Sequence, residues 1–188
     1  MKYTEIIDQL PMMCVPTCLL MILKRRGMDL DLSQEDIASY LDFSNSEETK
    51  DLFPNFPVET DKTMQGCKVT NLNNQLFKPL GLPLRENYVS IKSIERQLDY
   101  YGGEFDEYIE GVLERDVDVI VSLNHAIVLN RPDKVYRHAL ILESIDSEGV
   151  HLLTPKDNDK TYRETIDVYT FYKAISNIDG GLWIISKI

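Results

Sequence analysis

Basic residues, cysteine, tryptophan and long apolar runs are all scarce in this chain. Twenty lysines and arginines face 31 aspartates and glutamates, a net charge of −11, and the acids are spread from Glu35 to Asp179 rather than gathered in a tail. Such a surface repels phosphate backbones and anionic lipid, so neither nucleic acid nor membrane is an expected partner. No apolar run approaches the roughly 20 residues that span a bilayer. The opening Met1-Lys-Tyr-Thr-Glu-Ile-Ile-Asp contains two acids and no continuous apolar stretch, which is not the pattern of a secretory signal. Three cysteines, an odd number, argue against a disulfide framework and fit a reducing, cytoplasmic setting. Cys67, His125, His138 and His151 are scattered and no second paired-cysteine motif exists, so neither a metal nor a cofactor is called for.

What remains is a globular composition, 43% hydrophobic and 27% charged over 188 residues, long enough for one domain with a real core. The order of patterns predicts an α+β fold: a mainly helical lobe over residues 1–115 and a mostly antiparallel sheet over 116–188, meeting in a cleft. Cys14 to Arg26 is almost wholly apolar before Lys24 and ends at Gly27, so it predicts a buried helix. Ser33 with Asp36 predicts an N-cap for a short helix to about Leu41. Helices are expected over Ile91–Tyr100, stopped by Gly102-Gly103, over Asp106–Arg115, and around Val168–Ser176. Strands are expected over 117–123, 125–129, 135–145, 150–153 and 182–185, with Asn130-Arg-Pro-Asp133 as a turn between two of them. The polar stretch 44–70 is an expected long loop, a candidate cover for the cleft. Trp183 and Tyr88, Tyr100, Tyr101 and Tyr136 are assigned to packing rather than to a binding groove.

Two separated segments carry chemistry. In Gln9-Leu-Pro-Met-Met-Cys14-Val-Pro-Thr-Cys18, Cys14 stands where a loop enters a helix, facing unpaired N–H groups that favour thiolate. Its own backbone N–H can bind an oxyanion, and Gln9, five residues upstream, is the natural second donor. Cys18, one turn further into the apolar run, is assigned to the core, and Cys67 has no partner motif. The other segment is Arg137-His138-Ala-Leu-Ile-Leu, which places an imidazole at the start of a strand whose hairpin partner ends in Leu153-Thr154-Pro155. His125 is the runner-up base, while His151 follows a turn glycine as a solvated or satisfied histidine.

Gln9, Cys14 with Pro16 and Cys18-Leu19, His138-Ala-Leu-Ile-Leu and the strand ending before Pro155 resemble the papain-like cysteine peptidases. Within them the pattern is most similar to the bacterial peptidases that cut double-glycine leaders. The resemblance implies Cys14 as nucleophile, Gln9 as oxyanion-hole amide, His138 as general base and a peptide or protein substrate. Two positions depart from it. Val15 replaces the usual glycine after the nucleophile, and Thr154 replaces the aspartate or asparagine before the proline. A threonine hydroxyl can accept from the imidazole but brings no charge; Thr154 fits by alignment, whereas Asp157 or Asn158 fits by chemistry. Three functions share these residues: a peptidase, an amidase or acyltransferase using the same thioester, and a binding or regulatory protein that keeps the fold without catalysis.

Overall fold

A computed structural model of the chain describes residues 3, 5–28, 30–62, 64–67, 73–155 and 163–188. Its centre is one antiparallel sheet, and the two faces of that sheet carry different helices. The strands are β1 (Leu84–Ser90), β2 (Val117–Asn124), β3 (Arg137–Asp146), β4 (Gly149–Leu153), β5 (Arg163–Ile166) and β6 (Gly181–Lys187), in the order β1-β6-β2-β3-β4-β5. The helices are α1 (Cys14–Arg25), α2 (Gln34–Tyr40), α3 (Ile91–Tyr101), α4 (Phe105–Leu113), α5 (His125–Val128) and α6 (Val168–Ser176), with a π-helical turn at Asn73–Phe77. The arrangement is α+β, as the order of patterns predicts.

Alternation along the strands decides which helix lies on which face. Ile120, Ala139, Ile141, Leu153 and Ile185 project to one face and pack with Cys18, Leu19, Ile22 and Leu23 of α1. Val121, Leu123, Leu140, Leu142 and Leu152 project to the other, where Ile91, Ile94, Ile109, Phe171 and Ile175 of α3, α4 and α6 cover them. The C-terminal end of α1 is fastened to the sheet by charge. Asp118, wholly buried at the start of β2, accepts from Arg25 at 3.1 Å, from Arg26 and from the Tyr3 hydroxyl. With that end fixed, the other end of α1 is held over the beginning of β3.

The helical half is less helical than expected. β1 lies within it and pairs with β6 at the sheet edge; its sequence, Leu-Arg-Glu-Asn-Tyr-Val-Ser, is mostly polar and only Leu84 is fully buried, so it carries no apolar run to announce a strand. β5, only four residues, is likewise unannounced. Residues 125–129 are not a strand. Asn124 accepts from the Ala126 and Tyr136 N–H groups at 3.2 and 2.7 Å and donates to the Lys134 carbonyl at 2.9 Å. That capping turns His-Ala-Ile-Val into α5, whose apolar residues are buried on a helical rather than a pleated path. β3 accordingly begins at Arg137, after an exposed Val135. The helix Val168–Ser176 and the Ser33–Asp36 capping box form as expected.

The described part of the long loop, 44–62 and 64–67, holds only the isolated bridges Ser44↔Gly66 and Asn45↔Val58. It folds back on a small apolar cluster in which Phe43 and Phe53 meet Met13, the residue before Cys14, with Phe56 and Cys67 packed alongside. The loop therefore stands next to the entrance of α1.

Candidate active site

Met12 takes a left-handed backbone, φ 63°, and so bends the chain into α1. Its N-cap, Met13, supplies no side-chain hydrogen bond and the first turn holds no acid. Pro16 is tolerated there because a first-turn residue needs no N–H partner. Cys14 is thus the first helical residue, at a helix start that no side chain caps.

The start of β3 meets two cysteines. The Ala139 N–H, with the Val15 and Cys14 N–H groups, stabilises charge on the Cys14 sulfur, while the Cys18 thiol approaches the Ala139 carbonyl at 3.6 Å. Burial nevertheless outweighs these donors and pushes the Cys14 thiol up, contrary to the lowering expected from a helix start alone. Cys18 is fully buried, as assigned. Cys67 is not remote: it packs against the same core cluster as Cys14, and burial, then the neighbouring Cys14 charge, raises its thiol well above the usual range.

His138 precedes Ala139, so alternation sends its ring to the opposite face of the strand end, where β4 has already stopped at Leu153. It is 6% exposed and joins an aromatic group there. Its ring centroid lies 5.4 Å from Tyr136, nearly parallel, and 5.2 Å from His125. Burial, then repulsion by His125, lowers the imidazole from its ordinary 6.5 to about 3. The thiol raised by burial and the imidazole lowered by it are each neutral at pH 7, and neither shift is caused by the other group.

His125 has a carboxylate. Its Nε2 lies 2.8 Å from Glu164 Oε2, and the Thr154 hydroxyl donates to that same oxygen at 3.4 Å. The Nδ1 of His125 is enclosed without a hydrogen-bond partner among the described residues. His151 Nδ1 bonds Thr165 at 3.0 Å, while its Nε2 lies 2.9 Å from the Asp146 carboxylate without a hydrogen bond. Asp157 and Asn158 lie outside the described residues.

Gln9 sits in a segment pinned from both sides by one side chain. Gln34 of α2, 8% exposed, accepts from Leu10 N–H at 2.9 Å and donates to the Asp8 carbonyl at 2.7 Å. The Gln34 oxygen also accepts from the Thr17 hydroxyl of α1 at 2.8 Å. The Gln9 side-chain oxygen is itself enclosed, with no partner among the described residues. A cleft of about 480 Å³ opens beside Met12, walled by Ser46, Thr49 and Gln65 of the long loop.

The structure thus brings Cys14 to Ala139, His138 to the other side of the same strand end, and the Gln9 segment onto α1. Gln34, Glu164 and Asn124 are the contributors that sequence reasoning missed. Gln34 looks like an ordinary first-turn residue, and Glu164 belongs to a strand too short to register. Among the described residues no cluster of His, Cys, Asp or Glu could hold a metal ion, and no helix is long and apolar enough to cross a membrane.

Sheet order and helix placement define a C39 peptidase-like fold of the papain-like α+β kind. A solved structure from Bacillus anthracis, a candidate C39-like peptidase, superposes on it with a TM-score of 0.59 at 15% identity, over 98% of this chain and 94% of that one. At that identity the likeness is one of fold. No protein-family model and no curated protein matches the chain.

Proposed function

We propose that the chain is a cysteine hydrolase acting on peptide bonds, with Cys14 as nucleophile, His138 as general base and Gln9 as an oxyanion donor. The observation that carries this reading is the placement of Cys14 as the first residue of α1, packed on the cluster that holds Ala139 at the start of β3, the strand end that also carries His138. The fold shared with a candidate C39-like peptidase agrees with it.

Because both groups rest neutral, the pair works by proton transfer during attack rather than as a preformed ion pair. The Cys14 sulfur bonds to the substrate carbonyl carbon while its proton passes to His138, whose ring swings around the start of β3 to reach the sulfur. The oxyanion is held by the Cys14 N–H and the Gln9 amide. Collapse expels the amine, which leaves with the proton from His138, and a thioester remains. Water, deprotonated by His138, then adds to the thioester, and the acid departs as the thiol is restored. Vinyl-sulfone trapping of Cys14 that is strongly slowed at pH 7 in His138→Ala, together with release of peptide fragments from a mixed peptide pool, supports the reading. Absence of both leaves a fold without catalysis.

A further inference from the structure

Thr154 occupies the position before Pro155 at which the resembled family carries an acid or amide, and a hydroxyl cannot supply charge. A carboxylate does stand there, one strand further out. Leu152 of β4 pairs with Leu142 of β3 on one side and with Glu164 of β5 on the other. Cross-strand partners share a face, so Glu164 projects to the face of Leu142, Leu140 and His138. Two residues past Leu152, Thr154 returns to that face on the diagonal of His138.

Glu164 Oε2 accepts the Thr154 hydroxyl at 3.4 Å and faces His125 Nε2 at 2.8 Å, with its side chain 19% exposed. The nearest cation in sequence does not neutralise it. Arg163 turns to the other face, where it binds Glu143 at 2.7 Å and the Tyr3 carbonyl at 2.7 Å. The groups facing Glu164 and His138 from the packed elements are therefore His125 of α5, Thr154 after β4 and Tyr136 before β3.

We propose that Glu164 is the positioning residue that gives this site its negative charge, acting on His138 through Thr154 and His125. The inference rests on His138 as the base of the proposed reaction. A Thr154 hydroxyl that turns its proton toward a carboxylate has only acceptor capacity left to offer an imidazole N–H. His125, when protonated, opposes a proton on His138; the carboxylate against its Nε2 offsets that repulsion. As the Cys14 sulfur–carbon bond forms and its proton moves to His138, Glu164 stabilises the new cation without taking the proton.

The test is the rate of Cys14 alkylation by iodoacetamide from pH 5.5 to 9.5, read by peptide mass spectrometry on the full chain, with circular dichroism to confirm folding. Glu164→Gln should lose about 10-fold or more at pH 7, within the range general-base assistance provides, and approach the unsubstituted rate at the alkaline end, where thiolate forms unaided. Glu164→Asp should keep part of the neutral rate, and Thr154→Asp should restore it in the Glu164→Gln background. A Glu164→Gln profile that is unchanged, or lowered equally at every pH, overturns the proposal. So does a loss produced by Asp157→Asn and not by Glu164→Gln. If the unsubstituted chain already labels like His138→Ala, the reading of the site fails and this inference with it; a His138-dependent rate that survives Glu164→Gln removes this inference alone.

Discussion

The Thr17 hydroxyl of α1 donates to the Gln34 amide oxygen at 2.8 Å, and the same Gln34 grips the backbone on both sides of Gln9. The helix that begins at Cys14 and the segment that carries Gln9 are thereby tied through one buried amide. Replacing Gln34 by Ala leaves the Asp8 carbonyl and Leu10 N–H without that partner, a loss of about 1–3 kcal/mol in urea unfolding. It should also slow thioester formation by about 10-fold or more, because misplacing an oxyanion donor forfeits much of its contribution. Ser33→Ala, which removes only the α2 cap, should cost about 1 kcal/mol and leave that rate unchanged. Equal effects from the two variants would reduce Gln34 to a structural role.

Gln9→Ala should lower turnover by about 100-fold or more, as removal of an oxyanion donor does. Single-turnover measurement with a peptide thioester substrate separates this loss from any change in binding. An unchanged rate removes Gln9 from the mechanism.

Asp118 is the counterion for Arg26, whose side chain is 2% exposed. Asp118→Ala leaves that cation with only the exposed Asp116 carboxylate at 4.0 Å and two backbone carbonyls, a loss of up to about 3–5 kcal/mol in urea unfolding. Asp118→Leu combined with Arg26→Met should cost far less, since no uncompensated charge remains. Equal losses in both variants would show that packing, and not charge pairing, anchors the end of α1.

His138 makes stability depend on pH. Its imidazole is lowered from 6.5 to about 3 in the folded chain, so between those values the unfolded chain takes up a proton that the folded chain does not. Stability is therefore full above about pH 6.5 and falls as the pH drops through the window, with a slope approaching about 1.4 kcal/mol per unit. His138→Gln should flatten the urea-unfolding profile between pH 6 and 4 by up to that slope. Parallel profiles would mean that His138 is as solvated in the folded chain as in the unfolded one.

Much of the fold was legible because its elements announce themselves locally. The apolar run after Cys14, the Ser33–Asp36 box and the β-branched runs from Val117 onward each name their own structure. β1 and β5 did not, since edge strands need no apolar run, and α5 was mistaken for a strand because a short apolar run does not separate helix from strand by period. Asn124, through four hydrogen bonds to distant or capped groups, decides that segment, and such tertiary capping leaves no mark in the chain.

The candidate site divides in the same way. Cys14 and Cys18 could be ranked by position in their helix, and His138 by its place at a strand start. The rise of the Cys14 thiol could not be foreseen, because it follows from burial by parts of the chain far apart in sequence. Glu164 was hidden for a related reason: only the β4–β5 register brings it beside Thr154.

The most direct test of the account is covalent trapping of the unsubstituted chain by a peptidyl vinyl sulfone, with mass spectrometry locating the adduct, set beside Cys14→Ala, Cys18→Ala and His138→Ala. The account predicts a single adduct on Cys14, retained in Cys18→Ala, lost in Cys14→Ala and slowed by about 100-fold or more at pH 7 in His138→Ala. An adduct on Cys18 or Cys67, or a Cys14 adduct formed equally fast without His138, would contradict it.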